Sequence, residues 1–167
     1  NKQTVKFSDQ IATQKSQISA LKKELETYRT DTKAAEEQKQ TAEVTKSSYE
    51  SLMTVVSHYS TGDMSNSALA EELLKINAGT LGTSGKEEYD SLTEKIYPKV
   101  CESLYATSQK NYQVANYDTA VTNLEQVVQM DEGYQDGEAM LLLAQSYEKQ
   151  GEQDKANAYY QKIIEEH

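Results

Sequence analysis

The apolar residues near the start of the chain follow a heptad. Phe7, Ile11, Ile18, Leu21, Leu25, Tyr28, Ala35, Ala42 and Tyr49 fall on a or d positions, separated by Lys, Gln, Glu and Thr, and no Gly or Pro precedes Gly62. This predicts one helix running for fifty residues or more, with a seam that needs covering. Gln14, Thr32, Lys39 and Lys46 also fall on a or d, and polar residues there weaken pairing while fixing register and oligomer number. The expectation is a coiled coil that makes the chain a homo-oligomer through residues 7–28. The alternative is a helix whose first half packs on a partner and whose second half folds back on its own domain.

The pattern breaks at residues 60–67, "STGDMSNS", where Gly62 and the Asn, Asp and Ser residues favour turns and N-caps. A short amphipathic helix is expected over residues 68–77, then a second break over 77–85. There Ser84 and Glu87 have capping-box spacing, placing the next helix start near Lys86. Pro98 removes one hydrogen bond and crowds the preceding turn, predicting a kink or boundary at Ile96 and Tyr97 with re-entry into helix. Three or four more helices are expected from Val100, with turns near residues 115–116, 131–133 and 150–151. No period-two stretch competes, so the reading is all-α: a long helix over 1–58, a connector or degenerate repeat over 59–99, and two helix pairs over 100–167.

The last stretch places small residues among large ones: Met140, Leu143, Ala144, Tyr147, Gly151, Ala156, Tyr160 and Ile163. Two helices that cross closely need small side chains at the contact and larger ones around it. A glycine supplies the left-handed residue that ends the first helix. In its order this pattern resembles the tetratricopeptide repeat, a helix-turn-helix unit, departing at Met140 and Ile163. A second copy carries Leu104, Ser108, Ala120, Leu124 and Val127 in corresponding places, with Thr107 and Asn111 where Leu and Tyr are expected. Ala120 and Ala156 lie 36 residues apart, so two residues are inserted between the copies. A fainter echo runs over residues 49–76.

The resemblance implies a solenoid of antiparallel helical hairpins binding on the concave face made by the first helix of each repeat. Carried over, the groove residues are Glu102, Tyr105, Gln109, Tyr112 and Gln113 in one unit and Glu138, Leu141, Gln145, Glu148 and Lys149 in the other. Family members that grip a C-terminal carboxylate place Lys, Arg and Asn in the groove. Here only Lys149 could do so, which disfavours that ligand. Tyr105, Tyr112 and Leu141 among amides and acids suit a peptide with an apolar anchor and a positive charge.

Composition narrows the function classes. Acidic residues outnumber basic ones by 27 to 17, and Arg29 is the one arginine, so nucleic acid is disfavoured as a partner. From Asp131 onward nine acids face three lysines, a balance that suits a cationic partner through steering. Hydrophobic residues make up 37%, low for a compact globule and consistent with an elongated part. Cys101 is alone, so an intrachain disulfide is excluded. The longest apolar run, residues 139–144, falls far short of the roughly 20 residues that span a bilayer. The chain starts at Asn1, which leaves room for an upstream anchor.

Catalysis would have to use Cys101, His58 or His167, and the surroundings of Cys101 offer only Lys99 to lower its pKa. No Glu-x-x-His or similar ligand spacing occurs, and residues 79–86, "GTLGTSGK", lack both the preceding strand and the final Ser or Thr of a phosphate loop. The expectation is a non-enzymatic interaction scaffold without metal or cofactor. A stalk followed by repeats looks like bacterial envelope proteins held outside the cytoplasmic membrane by an N-terminal anchor. The alternatives are a cytoplasmic assembly adaptor and a cell-wall polysaccharide-binding module.

Overall fold

The computed structural model describes the backbone of residues 2–166 and the side chains of residues 11–165. The fold is all-α, with no strand among the described residues. Its helices are α1 (Lys2–Thr61), α2 (Asn66–Lys75), α3 (Thr83–Gln113), α4 (Tyr117–Met130), α5 (Glu138–Gln150) and α6 (Gln153–Glu166), with a 3₁₀ turn at Ala78–Thr80 between α2 and α3. The chain divides into two compact units, Asn1–Lys46 and Ser47–His167.

The first unit lies within α1. Its apolar seam is open to solvent: Ile11, Ile18, Leu21, Leu25 and Tyr28 are 49–71% exposed. The side chain of Phe7, the first heptad residue, lies outside the described residues. Gly62, at φ +68°, follows the end of α1, where a left-handed residue stops a helix without strain.

The second unit holds two apolar clusters. One joins Leu52 and Val55 of α1 to Leu69, Ala70 and Leu73 of α2 and to Leu92, Ile96 and Val100 of α3. It includes the helices of the faint echo over residues 49–76. The other joins Cys101 to Ala120, Leu124 and Val127 of α4, Ala139, Leu143 and Tyr147 of α5, and Ala156 of α6. Leu104 and Met130 touch both.

This sharing along α3 explains why the boundary expected at Ile96 and Tyr97 is absent. α3 runs unbroken through Pro98, which is exposed, while Ile96, Val100 and Cys101 are held in core on either side of it. Packing on both sides outweighs one lost backbone hydrogen bond.

Two helix starts also differ from expectation. α2 begins at Asn66 because Ser65 caps it, its hydroxyl accepting from the Ala68 amide at 3.2 Å. It ends at Lys75 as Ile76 turns extended and the chain enters the 3₁₀ turn. α3 begins at Thr83 on Gly82, which lies one turn before Lys86, so Ser84 lies inside the helix and is not its cap. The Gly82 amide donates to the Tyr49 hydroxyl at 2.8 Å, and a Cβ on Gly85 would approach the Tyr49 ring to 2.7 Å. The start of α3 is therefore set by an aromatic ring more than thirty residues away in sequence. Ser84–Glu87 spacing could not reveal that.

The turns expected near residues 115–116, 131–133 and 150–151 are present. Ala120, Ala139, Ala144, Ala156, Ser108 and Ser146 are all fully buried where α3, α4, α5 and α6 pack in sequence. The two serines satisfy their hydroxyls on their own helices, donating to the Leu104 and Leu142 carbonyls at 2.7 Å each. They fill the volume of an alanine at little polar cost. Small residues are thus buried where neighbouring helices pack, as the sequence pattern requires.

Candidate functional site

The last turns of α3 and the first turns of α5 form the walls of an open groove of about 310 Å³. It is lined by Tyr105, Gln109, Tyr112 and Gln113 from α3 and by Glu138, Leu141, Leu142 and Gln145 from α5. Residues four apart on a helix share a face, which aligns Tyr105 with Gln109 and Gln113, and Leu141 with Gln145. Seven of the expected groove residues meet here. Glu102, Glu148 and Lys149 are exposed on the same helices but do not line the groove. Leu142 does line it and was not anticipated; its place beside Leu141 on α5 is the signal that could have found it.

Aromatic edges hold the α3 wall in shape. Tyr105 packs edge-on against Tyr134 with centroids 5.6 Å apart, and Tyr112 packs likewise on Tyr117 at 5.4 Å. The Tyr105 hydroxyl donates to Glu138 Oε2 at 3.2 Å, bridging the two walls. Burial first, and then the Glu138 carboxylate that accepts this proton, push the Tyr105 pKa above its usual value, so it stays a donor. Glu148 is engaged elsewhere, accepting from the Tyr160 hydroxyl at 2.9 Å. That bond ties α5 to α6 and explains why Glu148 serves the hairpin in place of the groove.

The groove is thus aromatic and aliphatic at its base, with amides beside it. Glu138 is the one charged side chain among its lining residues. Such a surface can hold an extended or helical peptide by an apolar side chain and pair a neighbouring cation with Glu138.

A larger cleft, about 720 Å³, opens between the α3–α4 turn, α4 and the start of α6. Its polar groups already have partners. Tyr147 donates to Glu125, Gln150 donates to Asp118 at 2.6 Å, and Lys155 sits 5.2 Å over the Tyr147 ring and 3.5 Å from Glu152. These contacts clamp α4, α5 and α6 together, so the smaller groove is the better binding candidate.

Cys101 is fully buried beneath this helix stack, and its thiol is pushed up to about 11 by burial first and by nearby Asp131 second. Such a thiol is a poor nucleophile. His58 lies at the end of α1 with Nδ1 2.8 Å from Asp63 Oδ1, which lowers the Asp63 pKa. Among the described residues no group of three or more His, Cys, Asp or Glu is placed to hold a metal ion. No helix among the described residues is long and apolar enough to cross a membrane.

The hairpin of α5 and α6 has the geometry that its small residues foretold. Residues 138–167 match the family model described as a tetratricopeptide repeat. The match supports a tetratricopeptide repeat in the last two helices, and α3 and α4 pack beside it with Ser108, Ala120, Leu124 and Val127 buried in corresponding places. No curated protein and no solved structure matches the chain significantly. The repeat indicates an interaction scaffold with protein or peptide partners.

Proposed function

We propose that the chain is a non-enzymatic scaffold that binds a peptide in the groove between α3 and α5. The supporting observation is the convergence of Tyr105, Tyr112, Leu141 and Leu142 on one open surface with Glu138 at its edge. The peptide carries one large apolar residue and a Lys or Arg close by. In this reading residues 100–167 act as two repeat-like helix pairs, residues 59–99 as the connector, and residues 1–58 as a stalk whose last turns, from Ser47, pack into the second unit. The stalk makes the chain a homo-oligomer through residues 7–28, where exposed Ile and Leu need a partner.

The scaffold sits outside the bacterial cytoplasmic membrane, held by a segment upstream of Asn1. The order of stalk and repeat supports that placement. An upstream apolar segment in the full gene product would test it against the cytoplasmic adaptor.

A displayed peptide library panned against the chain tests the groove. Basic-and-apolar peptides should be enriched, and Leu141→Ala or Tyr112→Ala should weaken their binding by about tenfold or more, the usual effect of removing an interface anchor. Enrichment unaffected by either variant would remove the groove from the proposal. A wall-polysaccharide pulldown with Tyr105→Ala and Tyr112→Ala tests the carbohydrate alternative, since loss of sugar retention would favour it over peptide binding.

A further inference from the structure

The exposed seam of α1 is unequal from end to end. Ile11, Ile18, Leu21, Leu25 and Tyr28 make its first half large, whereas Thr32, Ala35, Lys39 and Ala42 make its second half small or cationic. The e positions that flank the d residues change in the same sense. They read Lys15, Lys22 and Arg29, then Glu36 and Glu43. Both patterns invert about one point near Thr30. All of these side chains are exposed.

We infer that the stalk pairs with a second copy of this chain in antiparallel orientation, over residues 14–46, centred near Thr30. The inference rests on the self-association proposed above and assigns its direction and register. In this register Leu25 faces Ala35 of the partner subunit and Ile18 faces Ala42 of the partner subunit. Leu25 and Ile18 thus meet alanines and Tyr28 meets Thr32 of the partner subunit, while Leu21 lies along the aliphatic stem of Lys39 of the partner subunit, whose ammonium reaches solvent.

The e residues of antiparallel helices face each other. Lys15 then meets Glu43 of the partner subunit, and Lys22 meets Glu36 of the partner subunit. Each pair occurs twice by symmetry. Among the described residues none of Lys15, Lys22, Glu36 and Glu43 has an ion-pair partner within the chain, whereas Lys33 and Glu37, on the face away from the seam, pair at 3.9 Å. The central like pairs are Arg29 with the partner subunit's Arg29 and Asp31 with the partner subunit's Asp31. Glu26, 4.0 Å from Arg29 in the same chain, softens the first.

Other arrangements fare worse on charge and length. A parallel, in-register pair stacks Lys39 on the partner's Lys39, and its favourable flanking pair, Glu24 with the partner's Arg29, is offset by Asp31 beside the partner's Glu36. Its favourable seam ends near Tyr28. Antiparallel registers that pair the first half with itself bring Lys15 and Lys22 against each other's cationic e positions.

The test is disulfide trapping in the full chain. Ile18→Cys and Ala42→Cys proteins are mixed and oxidised, alongside each alone. Buried Cys101, with its thiol pushed up to about 11, stays out of the reaction. Cross-linking should occur only in the mixture, because identical positions in the antiparallel pair lie about 36 Å apart along the rod. A disulfide cannot bridge Cα atoms more than about 7 Å apart.

Cross-linking of Ile18→Cys alone would show a parallel pair and overturn the inference while leaving self-association intact. A monomer by light scattering at tens of micromolar would overturn both. An oligomer that cross-links in no combination would overturn the register. As a second arm, Lys15→Glu with Lys22→Glu should raise the dissociation constant by about tenfold or more, the summed effect of several exposed pairs reversed. Adding Glu36→Lys and Glu43→Lys to the same chain should restore it. Failure to restore would count against the pairing.

Discussion

The hairpin of α5 and α6 and the hairpin made by the last turns of α3 with α4 close their first helices with the same backbone hydrogen bonds but different residues. In the later hairpin Glu152 N–H donates to the Tyr147 carbonyl at 2.9 Å. In the earlier one Asn116 N–H donates to the Asn111 carbonyl at 2.8 Å, in the same relation. Each turn passes through a left-handed residue, Gly151 at φ +82° and Ala115 at φ +60°. At the crossing both use Ala, Ala156 and Ala120, fully buried. The difference lies in what surrounds it. Leu143 and Tyr147 are buried in the later hairpin, where Thr107 is exposed and Asn111 half-buried in the earlier one. Backbone closure thus survives changes in the side chains that usually accompany it, and the hairpin that has Leu143 and Tyr147 is the one that matches the family model.

The sharpest way to break this comparison is to delete the large side chain that only one hairpin has. Leu143 has no exposed surface, so Leu143→Ala should cost about 2–5 kcal/mol through lost burial and a residual cavity. Thr107→Ala, at the corresponding exposed place, should change stability by no more than about 0.5 kcal/mol. Urea denaturation of both variants measures the contrast. Equal losses would mean that the two hairpins share one core arrangement in spite of their sequences.

Next in size is the aromatic position. The Tyr147 hydroxyl donates to Glu125 of α4, so it joins one hairpin to the other; burial first, and Glu125 second, push its pKa up. Tyr147→Phe should cost about 1–2 kcal/mol, the range for a hydrogen bond to a charged acceptor that is partly reached by water. Asn111, in the corresponding place, accepts from the Asn116 side chain at 2.8 Å and stays within its own turn. Asn111→Ala should therefore cost less than Tyr147→Phe under the same denaturation. The reverse order would place the link between hairpins elsewhere.

These positions also show which parts of the molecule could be read in advance. Helix faces and crossings repeat locally, so Ala144, Ala156 and the turn at Gly151 were legible, and with them most of the groove: Tyr105, Gln109, Tyr112, Gln113, Glu138, Leu141 and Gln145. Features set by distant partners were not. Tyr49 fixes the start of α3 through Gly82 and Gly85, which overrides the local capping spacing at Ser84. Core on both sides carries α3 past Pro98. Glu148 leaves the groove because Tyr160 of the next helix takes its carboxylate. The spacing of a repeat tells which face a residue shares, while the hydrogen bond that claims it comes from another helix.

The smallest expected effects come from the turn residue itself, and their signs should be opposite. A Cβ added at Gly151 would meet nothing within 4 Å, so Gly151→Ala tests backbone conformation without a clash. An L-residue in the left-handed region costs about 1–2 kcal/mol. The alanine also narrows the unfolded ensemble, which returns about 0.4–1 kcal/mol. The net loss should be close to about 1 kcal/mol. Ala115→Gly runs the same exchange backwards on a turn with the same hydrogen bonds, and should stabilise the chain by about 0.5–1 kcal/mol. Paired thermal and urea melts of the two variants check this. If Ala115→Gly destabilised the chain, the Ala115 side chain would be contributing contacts at the mouth of the cleft that outweigh its backbone strain, and the two turns would be alike in path but different in what holds them.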